Sequence, residues 1–289
     1  MPKSPKPSAA AAAEDDAPVF PVDEQKTIDI GNEKTVRAVL VSPICKKNTS
    51  KTGVILTHGA GGDLDEEQIT LLSMEFARQG MYSVRFTYKA PLVDKRAEIY
   101  RKVLEWFLQQ DCGVEKIIVG GRSMGARVVL ELASADDLKE KIAGAICLSY
   151  PLHKDASCTD LRTTAFPTVA SPVLFASGTK DPMCHQTVMK KAIKAIPTKV
   201  EMVWIEGANH SGMPKRKRQE AFEVPNYFHT VVVWGCDLAQ RAFEPDLATN
   251  NDPGKKPVAA ILAKRRRDFG DDPEAKRQFE ATRAVLCRQ

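Results

Sequence analysis

The feature that most constrains this chain is a short glycine-flanked serine turn set between a strand-like run and a helix-like run. Residues 116–120 (KIIVG) are apolar and β-branched, and residues 126–134 (ARVVLELAS) carry apolar side chains at helical spacing. Between them stands Gly121-Arg122-Ser123-Met124-Gly125. A Gly-x-Ser-x-Gly pattern also arises by chance, so its meaning lies in these flanks. A backbone that passes from strand to helix this abruptly strains the central residue and crowds its neighbours, which calls for glycine on both sides. The Ser123 hydroxyl then stands above the sheet at the positive end of a helix.

The rest of the chain alternates as a parallel α/β sheet requires. An opening hairpin is expected over residues 26–42 around Gly31-Asn32. Further strands are expected at 54–57, 82–87, 142–149, 172–176 and 200–205. Helical periodicity covers 65–79, closed by Gly80, and 94–110, with Val103, Leu104, Trp106 and Phe107 on the inner side. Two more helices are expected at 187–195 and 226–241, although the VVVW core of the last could pass for a strand. The fold class is therefore α/β, a doubly wound and mostly parallel sheet. The connection from Tyr150 to Ser171 is too short for a large cap domain, which suits small acyl groups better than long lipid chains.

A serine alcohol needs a base to take its proton and an acid to orient that base. In this fold class they follow in the order serine, acid, histidine, each after a later strand. His210, in Glu206-Gly-Ala-Asn-His-Ser211, directly follows the strand run VEMVWI. Asp181, in Ser177-Gly-Thr-Lys-Asp-Pro182, directly follows PVLFA, and Asp155 and Asp160 fall one strand too early. His229 sits in an apolar helical pattern and is expected to pack, while His153 and His185 fall too early or beside the acid. The loop His58-Gly59-Ala60-Gly61-Gly62 lets the backbone approach a developing oxyanion closely. The N–H of Met124, with that of Gly59 or Ala60, is the expected oxyanion hole. A phosphate-cradling loop is the competing reading, but neither GxxxxGK[ST] nor GxGxxG occurs. Arg122, Arg127 and Lys180 lie near these residues in sequence and would favour anionic substrates if they point inward.

The segments THGAGG, GGRSMGAR, SYPLH, SGTKDPMC and ANHS, in that order, resemble the testis-expressed hydrolase-like family, over about residues 25–241. A branch of that family contains the third regulatory subunit of the nuclear NSL histone acetyltransferase complex. The resemblance implies an α/β-hydrolase fold in which Ser123, Asp181 and His210 match the triad positions. It implies little about substrate, because one branch looks like a scaffold.

Residues 1–18 are Pro/Ala-biased and are expected to form a disordered leader, residues 19–245 the domain, and residues 246–289 a basic tail. Net charge is only +5, with basic clusters at Lys215–Arg218 and Lys264–Arg267 that lack interleaved aromatics, so nucleic-acid binding is not indicated. The seven cysteines are scattered without a CxxC pair, so no metal or other cofactor is expected, and reduced thiols suit the cytoplasm, with nuclear entry as a second expectation. The apolar runs are far too short for a membrane span. Two functions compete: a serine hydrolase of a small ester, thioester or amide, and a non-catalytic subunit whose partners are proteins of a nuclear or cytosolic complex.

Overall fold

The computed structural model describes residues 21–43, 49–154, 158–212 and 226–242. The chain divides into a unit of residues 21–247 and another of residues 1–20 with 248–289; the second lies wholly outside the described residues. The expected leader and tail, with both basic clusters, lie outside the described residues.

Eight strands form one sheet: β1 (Val22–Gly31), β2 (Lys34–Ser42), β3 (Thr52–Thr57), β4 (Ser83–Phe86), β5 (Lys116–Arg122), β6 (Ile142–Leu148), β7 (Val173–Gly178) and β8 (Val200–Ile205). Their spatial order is β1-β2-β4-β3-β5-β6-β7-β8. The first two make the expected antiparallel hairpin, and β2 also pairs antiparallel with β4; all later pairings are parallel. The hairpin turn falls one residue later than the sequence suggests. Gly31 pairs with Lys34, so Asn32 and Glu33 form a two-residue loop, both at positive φ (55° and 57°). That geometry matches the right-handed twist of the strands it joins.

The helices are α1 (Glu67–Arg78), α2 (Val93–Leu108), α3 (Met124–Ala133), α4 (Gln186–Ala192) and α5 (Asn226–Arg241). Ile69, Leu72 and Phe76 of α1 join Phe228, Val231 and Val232 of α5 in one core. Tyr100, Val103, Leu104 and Phe107 of α2, with Val128, Val129 and Leu132 of α3 and Met189 of α4, join the other. The sheet is thus covered on both faces, as a parallel sheet must be. Each fully buried Phe contributes on the order of 1.5–3 kcal/mol. Trp106 packs half-buried against the core. Two expectations change: His229 is exposed rather than packed, and α3 starts at Met124, two residues before the expected run.

Strand order decides where a site can form. From β3 the chain moves outward to β4, then returns across β3 to β5 and continues the other way. The crevice lies where that direction reverses, between the carboxyl ends of β3 and β5. Thr57 pairs with Gly121 in this ladder, so the His58–Gly62 loop and Ser123 emerge side by side. The described part of the β6–β7 connection packs against the core. Phe166 is fully buried, its ring centroid 5.7 Å from that of Tyr150 and 6.0 Å from that of Phe175, and the Tyr150 hydroxyl donates to the Arg162 carbonyl at 2.5 Å.

Candidate active site

Ser123 joins β5 to α3 with φ 52° and ψ −116°, a conformation L-residues rarely adopt. Its N–H donates to the Leu148 carbonyl at 2.8 Å, which holds the turn against β6. Both flanking glycines are sterically required. A Cβ on Gly121 would stand 2.5 Å from the Gly125 carbonyl, and one on Gly125 would stand 2.6 Å from the His58 carbonyl oxygen.

The Ser123 Oγ is 2.8 Å from His210 Nε2, and His210 Nδ1 is 2.9 Å and 3.1 Å from the two Asp181 carboxylate oxygens. A carboxylate accepts, so Nδ1 carries the ring proton and Nε2 is left to accept from the serine hydroxyl. The Asp181 side chain is fully buried while His210 stays one-quarter exposed. Asp181 Oδ1 also accepts the Met183 N–H at 2.8 Å across the intervening Pro182. The loops bearing Asp181 and His210 lie against each other: Lys180 N–H donates to the Ala208 carbonyl at 2.9 Å. A Cβ on Gly178 would stand 2.1 Å from that same oxygen.

Met124 is the first residue of α3, so its N–H has no carbonyl one turn earlier in the helix. Gly59 faces the serine closely: a Cβ there would be 3.0 Å from Ser123 Cβ and 3.5 Å from its Oγ. The Gly59 carbonyl receives His58 Nδ1 at 2.7 Å and Arg96 Nη1 at 3.3 Å. In a trans peptide this turns the Ala60 N–H to the opposite side. His58 Nε2 accepts the Tyr88 N–H at 3.3 Å and lies 3.0 Å from Thr87 Oγ1, so the proton of this buried ring is on Nδ1. Burial pushes the His58 imidazole below its ordinary pKa, and the nearby Arg96 adds to that shift.

The residues expected to form a site converge: Ser123, Asp181 and His210 in one hydrogen-bonded line, with Met124, Gly59 and Ala60 beside it. Asp160 is exposed, and Asp155 lies outside the described residues. His153 instead accepts the His185 N–H at 3.0 Å. Of the three cations, Arg122 is occupied, pairing with Glu66 at 2.7 Å and donating to the His210 carbonyl at 3.1 Å. Arg127 lines a groove of about 600 Å³ that runs from Met124 to Leu92, Val93 and Ala97 at the start of α2. Arg96, Tyr88 and Glu66 are the residues that sequence reasoning missed. Arg96 had a detectable signal, because it falls one turn before Tyr100 on the face of α2 that buries Val103 and Phe107. Among the described residues no cluster of His, Cys, Asp and Glu suits a metal ion, and no helix is long and apolar enough to cross a membrane.

Comparison with known proteins agrees with this architecture. A family model described as an alpha/beta hydrolase domain matches residues 50–225. Alpha/beta hydrolase domain-containing protein aho-3 of Caenorhabditis elegans is 26% identical over 172 residues, covering 55% of this chain and 52% of that protein. The chain thus spans about half the length of that curated relative. Among solved structures, a dienelactone hydrolase from Anabaena variabilis is similar at TM-score 0.59 and 18% identity, over 77% of this chain and 98% of that one. Est1E from Butyrivibrio proteoclasticus is similar at TM-score 0.59 and 18% identity, over 74% and 98%. At these identities the structural likeness bears on the fold.

Proposed function

Since the chain belongs to the alpha/beta hydrolase domain family, we propose that it is a serine hydrolase that cleaves a small ester, thioester or amide through an acyl-enzyme. The observation that carries this reading is the unbroken line from Ser123 Oγ through the His210 ring to a buried Asp181 carboxylate, at 2.8 Å and 2.9 Å. In the first step Ser123 Oγ attacks the acyl carbonyl while its proton passes to His210 Nε2. The carbonyl oxygen becomes negative beside the Met124 N–H and the N–H of Gly59 or Ala60, at the positive end of α3. The tetrahedral centre then expels its leaving group, which takes the proton from His210. Water repeats the sequence on the acyl-enzyme, with His210 again as base, and releases the acid. Asp181 holds the tautomer that makes both steps possible.

The test is covalent labelling of the pure protein by a fluorophosphonate. Ser123→Ala should abolish labelling, and His210→Ala should lower its rate by about 10³-fold or more, because triad members act as a unit. Asp181→Asn should cost less than either, since it leaves nucleophile and base in place. A folded wild-type protein that takes no label would sink the enzyme and leave the interaction-subunit reading.

A further inference from the structure

Arg122 occupies the variable position just before the nucleophile, yet its side chain contacts two other loops. Nη1 pairs with Glu66 Oε1 at 2.7 Å and Nη2 donates to the His210 carbonyl at 3.1 Å. The two side chains are 15% and 25% exposed, so the contact is largely withdrawn from solvent. Charge-assisted bonds in such places are stronger and better aligned than surface ion pairs. Glu66 is itself anchored. Its N–H donates to the Asp63 carbonyl and its own carbonyl receives the N–H groups of Ile69 and Thr70, at the junction of the His58–Gly62 loop and α1. The base loop is held on one side by the acid loop, through Lys180 and Ala208, and internally by bonds to Asn209. On the side that faces β5, its main chain is held by Arg122.

We propose that Arg122, braced by Glu66, is a positioning residue that acts through the His210 main chain to keep Nε2 against Ser123 Oγ. It joins the base to the loop that carries Gly59, so oxyanion donor, nucleophile and base share one frame. The proposal deepens the hydrolase reading and rests on it for its kinetic consequence, but not for its structural one. A guanidinium suits the role because its planar fork offers donors in two directions at once, which an ammonium on a flexible stem does not reproduce.

The experiment uses the full chain and measures labelling rate, and kcat and KM for p-nitrophenyl acetate, in two backgrounds. In the wild-type background Arg122→Met should lower the labelling rate and kcat by about 10- to 100-fold, the scale expected of a misplaced base, with KM nearly unchanged. Arg122→Lys should restore part of the loss. In a His210→Ala background the same Arg122→Met change should alter the residual rate by no more than about two-fold, because no imidazole remains to be placed. An equal loss in both backgrounds would overturn the proposal. Should Arg122→Met fail to fold, Glu66→Gln keeps shape and loosens the brace; its smaller loss should likewise vanish without His210. If the wild-type protein takes no label, the hydrolase reading fails separately, and the His210 Nδ1 proton resonance decides the positioning role. That signal should be sharp and low-field in the wild type and in Ser123→Ala, and broadened in Arg122→Met or, where that variant does not fold, in Glu66→Gln. A resonance that is the same in the folded Arg122 or Glu66 variant would refute it.

Discussion

His58 carries a proton on Nδ1 and none on Nε2, and this state has consequences for acid stability. Its buried ring is held below the ordinary pKa of a histidine, chiefly by loss of solvation. A group whose folded pKa is depressed binds its proton more readily when unfolded, so acid favours the unfolded chain. The stability due to neutral His58 is therefore complete above about 6.5, the unfolded value, and is lost as pH falls toward the lowered folded value. Protonation would also set a donor at Nε2 against the Tyr88 N–H. We predict that His58→Gln lowers stability at neutral pH but makes the denaturation midpoint less sensitive to acid. Parallel pH curves for the two proteins would count against this. Cys184 behaves in the opposite sense as a chemical group. Burial pushes its thiol up to about 12, which disfavours the thiolate that a substitute nucleophile beside Asp181 would need. Ser123, Asp181 and His210 were legible in the sequence because each directly follows a recognisable strand run. The work of Arg122 was not, since its partners Glu66 and His210 are brought to it by the sheet.

At the scale of elements, Tyr100 binds α2 to the strands beneath Ser123. It is fully buried, donates from its hydroxyl to the Ile55 carbonyl at 2.8 Å and accepts the Gly120 N–H at 3.1 Å. Tyr100→Phe keeps the ring in the core but leaves a strand donor and a carbonyl without that partner, at a cost of about 1–3 kcal/mol. Urea unfolding should show this loss, while labelling of the folded variant stays close to wild type. A variant as stable as the parent would show that the strands re-pair without the phenol. Element types were readable from periodicity, and their ends were less so. The hairpin turn moved by one residue because positive φ at Asn32 and Glu33 is set by cross-strand register, which local composition does not reveal. Trp106 does pack against the core, but His229 was assigned inward from periodicity and is exposed, because the inner face of α5 is set by neighbours that only the tertiary fold supplies.

At the scale of the molecule, the unit of residues 21–247 holds all eight described strands and all five described α-helices. A chain limited to residues 19–245 should therefore keep the cooperative unfolding transition of the full chain; a truncated protein that melts without cooperativity would overturn this. Strand order could not be read beforehand, because the return of the chain across β3 depends on pairing between distant segments. That return nonetheless decides which loops meet. The direct pairing of β7 with β8 brings together the two loops at their ends, where the absence of a side chain on Gly178 lets the Ala208 carbonyl lie almost on its backbone. A side chain placed there would wedge the two loops apart, and with them the Asp181 carboxylate and the His210 imidazole.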